Sequence, residues 1–578
     1  MDAKRGTWRR PLGPAVAALL VSFCAAAPPA VRAGGPDRPA SGPADLSMPE
    51  LEIIDLLQRY LRIDTSNPPG NEIAAARFFR DLFAREGIEA TIYEFEPGRA
   101  NIVARLEGDG TRGGLILSNH MDVVIADRDE WSVDPFGGEL IDGYVYGRGA
   151  LDMKTTGLLQ AATLINLKRA GAALNRDLIF LGTADEEVDA AGIEWMTWEH
   201  GELLKGAEFM LNEGGMIDEE GGAARSYNVA VTEKAPFWIR IRAEGRSGHG
   251  SQPFTEDNAV HRLLRALDRL SRYQPPVKVT ESVDAFFKAL AGTAPPRRAA
   301  IYRDIRAAVE NPMLLAALTA DPALNAILRN TIAITMLEGA PQINIIPSVA
   351  QAQLDVRLLP GEDPGRFLEE IRGVVERTGV TLEPLGRFRA ATESPLDSDL
   401  VRAIDRVRGR HHPGAVLAPT MLTGWTESAA VRPLGIKAYG FQPYVLDAAE
   451  RERIHGEDER ISVDNVLRGA RLLEEIVREL CGAPPPPRRS AAQPGEEGQE
   501  EGQDDAEQDA ARERHVDPDA APAEGEIAGQ AAEQRQPPAE GEEQPRGGDQ
   551  EPARDQDPAQ RRHGPGRRHD LILADFLL

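Results

Sequence analysis

Between residues 102 and 213 the chain repeatedly drives a short apolar run straight into an acid or a histidine. Leu115-Ile-Leu-Ser-Asn-His120-Met-Asp122, Leu178-Ile-Phe-Leu-Gly-Thr-Ala-Asp185-Glu186-Glu187 and Leu211-Asn-Glu213 all have this form. Runs this short and apolar suit strands of a buried sheet. Helical periodicity over Leu51 to Leu61 and Thr155 to Ala170 alternates with them, and Ile102 to Leu106 is also strand-like. The alternation predicts an α/β layer structure from Met48 to about Val231. Sheets of this kind gather active sites at the carboxyl ends of their strands, where these acids and the histidine fall.

At 578 residues the chain exceeds what one core usually organises. A second unit is expected from Lys234. Phe237 to Ala243 alternates as a half-buried strand, and strands over Ala350 to Leu358 and Val380 to Leu385 follow with amphipathic helices. Gly424 to Glu459 returns to motif-bearing loops, and Val463 to Leu480 reads as a closing helix. The expected division is 1–33, 34–47, 48–233, 234–389, 390–482 and 483–578.

Residues 1–33 read as an export signal: Lys4, Arg5, Arg9 and Arg10 precede the apolar run Ala15 to Ala27, and Val31-Arg32-Ala33 resembles a cleavage site. A secreted or periplasmic location follows, without stable membrane insertion, because the run is short for a span. After cleavage only Cys481 remains, which excludes an intrachain disulfide. Residues 34–47 form a Pro/Gly/Ala-rich linker. The tail, 483–578, is rich in Pro, Glu, Gln, Asp and Arg and carries roughly half of the net charge of −26. It is expected to be disordered because it has too little apolar surface to offset chain entropy. An acidic chain also argues against nucleic acid as a partner.

His120 and Asp122, two apart on a strand, point the same way. A carboxylate beside a metal-bound imidazole fixes its tautomer. Gly147-Arg-Gly-Ala-Leu-Asp152-Met-Lys154 places an acid just before a helix, where capping is the commoner use. The three consecutive acids 185–187 repel one another at a strand end and call for a cation, unless the loop is simply solvated. Ile454-His455-Gly-Glu-Asp-Glu459 lies far along the chain. Taken together, these residues form a nitrogen and oxygen donor set suited to zinc or cobalt. A two-metal site needs a shared carboxylate and an unbound one to accept a proton.

The ordered motifs HxD, GRGALDMK, DEE, NEGG, SGHGS, NxIP and IHGEDE resemble the co-catalytic zinc family of carboxypeptidases, aminoacylases, acetylornithine deacetylase and succinyl-diaminopimelate desuccinylase. The likeness runs from about Leu51 to Leu480. It implies a zinc-peptidase catalytic domain (48–233 and 390–482) with an inserted α+β lid and dimerisation domain (234–389). It also implies two zinc ions, with cobalt or another divalent metal as the substitute. His120 and Glu187 would bind different ions, Asp152 would bridge them, and Glu213 and His455 would complete the set. Glu186 would be the general base, Asp122 would orient His120, and Asp152-Met153 would be a cis peptide. In the lid, His249 would stabilise the oxyanion at a neighbouring site with help from Asn344, and Arg357 would clamp a substrate carboxylate. A homodimer through the lid follows from the role of His249.

One loop departs from the family pattern. Where relatives carry Gly-Gly/Asn-Thr-Asp, this chain reads Gly424-Trp425-Thr426-Glu427-Ser428. That puts inherited specificity in question while leaving the ligands untouched. The expected activity is cleavage of an amide bond beside a free carboxylate in short peptides or N-acyl amino acids. The alternatives are an aminopeptidase of the related two-zinc fold and a metal-dependent peptide-binding protein without catalysis. SGHGS and the inserted unit speak against the first, and intact Glu186 speaks against the second.

Overall fold

The computed structural model describes residues 48–483. The expected export signal, the linker and the tail beyond residue 483 lie outside the described residues. Two compact units emerge, one from 48–223, 397–412 and 430–483, the other from 224–396 and 413–429. The class is mixed α/β, as the apolar runs predict.

In the first unit the strand order is Ala90–Glu96, Arg99–Leu106, Leu178–Thr183, Gly114–His120, Ala207–Asn212, Lys437–Gly440. Arg99–Leu106 is antiparallel to both neighbours, and the four strands after it are mutually parallel. Gly114–His120 and Leu178–Thr183 are buried at every position, as parallel strands covered on both faces should be. Tyr60, Phe79, Phe83 and Phe180 interlock over this sheet with ring centroids 4.9–6.4 Å apart. Burying each such ring stabilises the unit by roughly 1.5–3 kcal/mol.

Helix Lys154–Arg169 is buried from Lys154 to Leu167. It packs against strand Gly114–His120, helix Glu50–Leu61 and the closing helix Val463–Cys481, so it has no solvent face to make it amphipathic. The closing helix starts where Ser462 Oγ accepts from Asn465 N at 3.1 Å. It stops at Gly482, whose φ of +70° favours glycine; a Cβ there would also lie 2.6 Å from the Asn175 side-chain amide.

The second unit holds an antiparallel five-stranded sheet in which Val349–Leu358 pairs with Ile239–Glu244 and with Thr331–Glu338. Val349–Leu358 alternates buried and half-buried residues along its whole length. Its apolar side meets helices Ala259–Arg272 and Pro364–Val374 in one core. A separate core around Phe287 and Met421 gathers five short helices between Glu281 and Leu328. Asp304, Asn311 and Asp321 each start one of these helices by accepting a backbone N–H, and proline follows at Pro312 and Pro322.

Candidate active site

The parallel strands of the first unit bring their carboxyl ends to one edge. His120 closes strand Gly114–His120, Asp185-Glu186-Glu187 follows Leu178–Thr183, and Glu213 follows Ala207–Asn212. Asp152 sits in the turn before helix Lys154–Arg169, and the Asp152-Met153 peptide is cis, as the family likeness implies. His455 comes from the loop between helix Ala448–Arg451 and strand Arg460–Ser462. Asp185 and His455 both hold positive φ, +70° and +62°. Such backbone costs on the order of 1 kcal/mol and persists where its surroundings over-determine it.

These residues form two groups able to hold a metal ion: His120, Asp152 and Glu213, and Asp152, Glu187 and His455. Asp152 belongs to both. Its Oδ1 lies 3.1 Å from His120 Nε2, and its Oδ2 lies 3.3 Å from His455 Nε2. Glu213 Oε2 is 3.5 Å from His120 Nε2, and Glu187 Oε2 is 3.3 Å from His455 Nε2. Each oxygen of the shared carboxylate therefore faces one imidazole and one further carboxylate.

The electrostatics are those of a site built around cations. Burial pushes Glu213 up to about 7, and the charge on Asp152 adds to it. Glu187 is raised by burial as well. Burial would also raise Asp152, but the hydrogen bonds from His120 and His455 outweigh it and hold that carboxyl below its ordinary value. Hydrogen bonds to Asp152 and Glu187 lift His455 to about 10. Glu187 Oε1 is buried and accepts no hydrogen bond from the described residues. Three clustered carboxylates, two imidazoles and an orphaned oxygen fit a pair of divalent ions well.

The structure refines the part played by Asp122. His120 Nδ1 donates to the main-chain carbonyl of Asp122 at 3.0 Å, while the Asp122 carboxylate lies 3.7 Å away. A carbonyl only accepts, so Nδ1 carries the proton and Nε2 is turned toward Asp152. The Asp122 carboxylate accepts instead from Glu186 N and Glu187 N, each at 3.1 Å. It holds together the backbone of Glu186, the expected base, and of Glu187, an expected ligand.

Three partners of this network escaped the sequence reading. Asn67 Nδ2 bridges Asp122 Oδ2 and Asp185 Oδ1, at 2.9 Å to each. Arg99 joins Asp185 at 2.7 Å to the buried Glu72 at 2.8 Å. The first acid of the DEE run is thus held by Asn67 and Arg99 and belongs to neither candidate metal group. Only the turn-forming Asn67-Pro68-Pro69-Gly70 marked the place in the sequence.

The other expected residues lie in the second unit. His249 belongs to the two-residue strand Gly248–His249, which pairs with Ile345–Ile346, and Gly250 N donates to Asn344 O at 2.8 Å. His249 and Asn344 are thereby neighbours, both exposed. Ser251 Oγ lies 2.8 Å from His249 Nδ1. Arg357 Nε donates to Asp355 Oδ1 at 2.8 Å. In the divergent loop, the Arg389 guanidinium lies 5.6 Å from the centre of the Trp425 ring, and Glu427 is wholly buried.

Known proteins resemble this chain in sequence and in fold. Human aminoacylase-1 is 27% identical over 444 residues, covering 76% of this chain and 97% of that protein. The human N-fatty-acyl-amino acid synthase/hydrolase PM20D1 is 28% identical, covering 63% of this chain and 73% of that protein. The M20 family metallo-carboxypeptidase Sso-CP2 of Sulfolobus solfataricus has the same fold. Its TM-score is 0.59 at 19% identity, with 74% of this chain and 99% of that chain covered. The model of peptidase family M20/M25/M40 matches residues 116–479, a span that opens inside the His120 strand and closes near the end of the terminal helix. The likeness read from the ordered motifs is borne out, and the chain belongs to peptidase family M20/M25/M40, whose members hydrolyse amide bonds.

Proposed function

We propose that this protein is an exported two-zinc hydrolase that cleaves the amide bond next to a free carboxylate in short peptides or N-acyl amino acids. The observation that carries this reading is the division of Asp152 between two donor groups, one oxygen to each imidazole. His120 and Glu213 would hold one ion, Glu187 and His455 the other, with Asp152 shared. Ions held there would supply Lewis-acid chemistry, polarising the scissile carbonyl and acidifying an attacking water.

Glu186 takes the proton of that water and returns it to the leaving nitrogen. Its backbone N–H, fixed by Asp122, sets where the carboxylate begins its reach. His249 donates to the developing oxyanion and Asn344 assists, which suits their adjacency. Arg357 receives the substrate carboxylate through its planar fork, sharing the guanidinium with Asp355. Among the described residues no helix is long and apolar enough to cross a membrane. Export rests on the basic, then apolar N-terminus. A homodimer through the second unit is supported by the exposed apolar side chains of Met336 and Leu337 on strand Thr331–Glu338 and of Ile343 further along the chain.

The test measures amine release from dipeptides and N-acyl amino acids, each with a free or an amidated carboxylate. Only the free-carboxylate series should turn over, and Glu186→Gln should lower kcat by about 10²–10⁴ with metal content unchanged. Equal turnover of the amidated series would sink the carboxylate requirement. Full activity in Glu186→Gln would remove the assigned base.

A further inference from the structure

The last acid of the IHGEDE motif has no part in the chemistry above, yet it is wholly buried beside it. Glu459 accepts four hydrogen bonds. Its Oε2 takes Arg148 at 2.7 Å and Gly149 N at 3.1 Å, and its Oε1 takes Leu151 N at 2.7 Å and Asp152 N at 3.1 Å. One carboxylate therefore gathers the backbone of the whole turn that ends in Asp152. Arg148 reaches further: its second terminal nitrogen donates to the carbonyl of His455 at 3.2 Å. Its side chain is only 4% exposed, and its guanidinium lies 5.1 Å from the centre of the Trp131 ring. Asp152 and His455 belong to the same donor group, although about 300 residues separate them in the chain.

We propose that Glu459 and Arg148 form a positioning pair that locks the Asp152 turn to the His455 loop and so sets the affinity of the metal position those two ligands share. Neither residue touches the ion or the substrate; both act through ligands. Geometry supports the pairing over a generic buried ion pair. All four bonds to Glu459 come from main-chain or side-chain groups within four residues of Asp152, and among the described residues the further side-chain hydrogen bond of Arg148 goes to the carbonyl of His455. Partners that orient ligands in this way commonly change metal affinity about 10–100-fold when altered. Gln at 459 would offer one acceptor oxygen and turn an NH₂ group toward donors, so part of the set would be lost. Lys at 148 would keep a cation for Glu459 but give up the forked reach to the His455 carbonyl.

The inference rests on the two-metal reading, and the experiment separates their failures. Full-length wild type, Glu459→Gln, Arg148→Lys and His455→Ala are stripped with chelator and titrated with cobalt(II) and then zinc(II), following the visible cobalt bands and calorimetric stoichiometry. Wild type should take up two equivalents. Arg148→Lys should weaken one of them about tenfold and shift part of the cobalt spectrum, and Glu459→Gln should weaken binding about 10–100-fold. Folded variants with wild-type affinities and spectra overturn the positioning role while leaving the two-metal site standing. Fewer than two equivalents in wild type, or no loss in His455→Ala, overturn the site and the pair together. If Glu459→Gln does not fold, as near-ultraviolet circular dichroism would reveal, Arg148→Lys decides the matter alone.

Discussion

The carboxyl edge of the first unit and the His249 region of the second hold their candidate residues in opposite ways. At the edge, His120 and Glu213 are almost wholly buried at the ends of buried strands, and the Asp122 carboxylate fixes two neighbouring backbone N–H groups. His249 and Asn344 are exposed, on a two-residue strand and the loop before its partner. A donor cluster that must keep three carboxylates together needs rigid support, because any slack lets like charges separate. A group that meets a substrate only as charge develops can lie on a lighter frame.

That contrast gives the largest expected difference between single variants. Asp152→Ala should strip both metal equivalents and take activity to the level of chelated protein, because both donor groups lose a member. His249→Ala should retain its metal in full and lose about 10²–10³ in kcat. Metal analysis beside initial rates checks both. Metal loss in His249→Ala, or retention in Asp152→Ala, breaks the division between holding ions and serving the substrate.

The same contrast explains what the sequence made legible. The apolar runs ending in His120, Asp185 and Glu213 correspond to strands Gly114–His120, Leu178–Thr183 and Ala207–Asn212; the first two are buried at every position and the third over its last four, which leaves a near-continuous apolar signature. The alternation read over Ala350 to Leu358 is the half-buried strand Val349–Leu358. The five expected donors lie in two groups of three that share Asp152. Asn67, Arg99 and Glu72 were not legible. Each acts through a side-chain contact spanning 27 to 118 positions, and no local period records such a pairing. For Asp122, spacing told which side the carboxylate takes but not that a carbonyl would serve His120 in its place.

Asn67 sharpens the comparison at the next level down. Its amide nitrogen links the Asp122 and Asp185 carboxylates, so Asn67→Ala leaves two buried acids without that bridge. Metal affinity should fall about tenfold, and stability by about 1–3 kcal/mol. Competition against a chromophoric chelator and urea denaturation read the two quantities separately. A stability loss with unchanged affinity would reduce Asn67 to a packing residue.

The smallest expected effect concerns charge and pH, and here the two units should respond with opposite sign. In metal-free protein, His455 is raised to about 10 by Asp152 and Glu187, so its contribution is complete below about 6.5 and is lost as pH climbs toward 10. Lys234, buried in the second unit, is pushed down to about 7 by burial, with Arg357 adding to the shift. Between that value and about 10.4 the unfolded chain holds a proton that the folded unit does not, so this lysine makes stability rise with pH. Its Nζ donates to Ala326 O and Arg329 O at 2.9 Å and to Thr331 Oγ1 at 3.0 Å. Three acceptors match the three donors of an ammonium and blunt the penalty of burial, which keeps the expected gain on the order of 1 kcal/mol. Denaturation curves of chelated wild type and Lys234→Met between pH 7 and 10 should therefore diverge, the variant losing stability more steeply because the opposing lysine is gone. Parallel curves would mean that Lys234 keeps its proton throughout, and that its three acceptors outweigh burial.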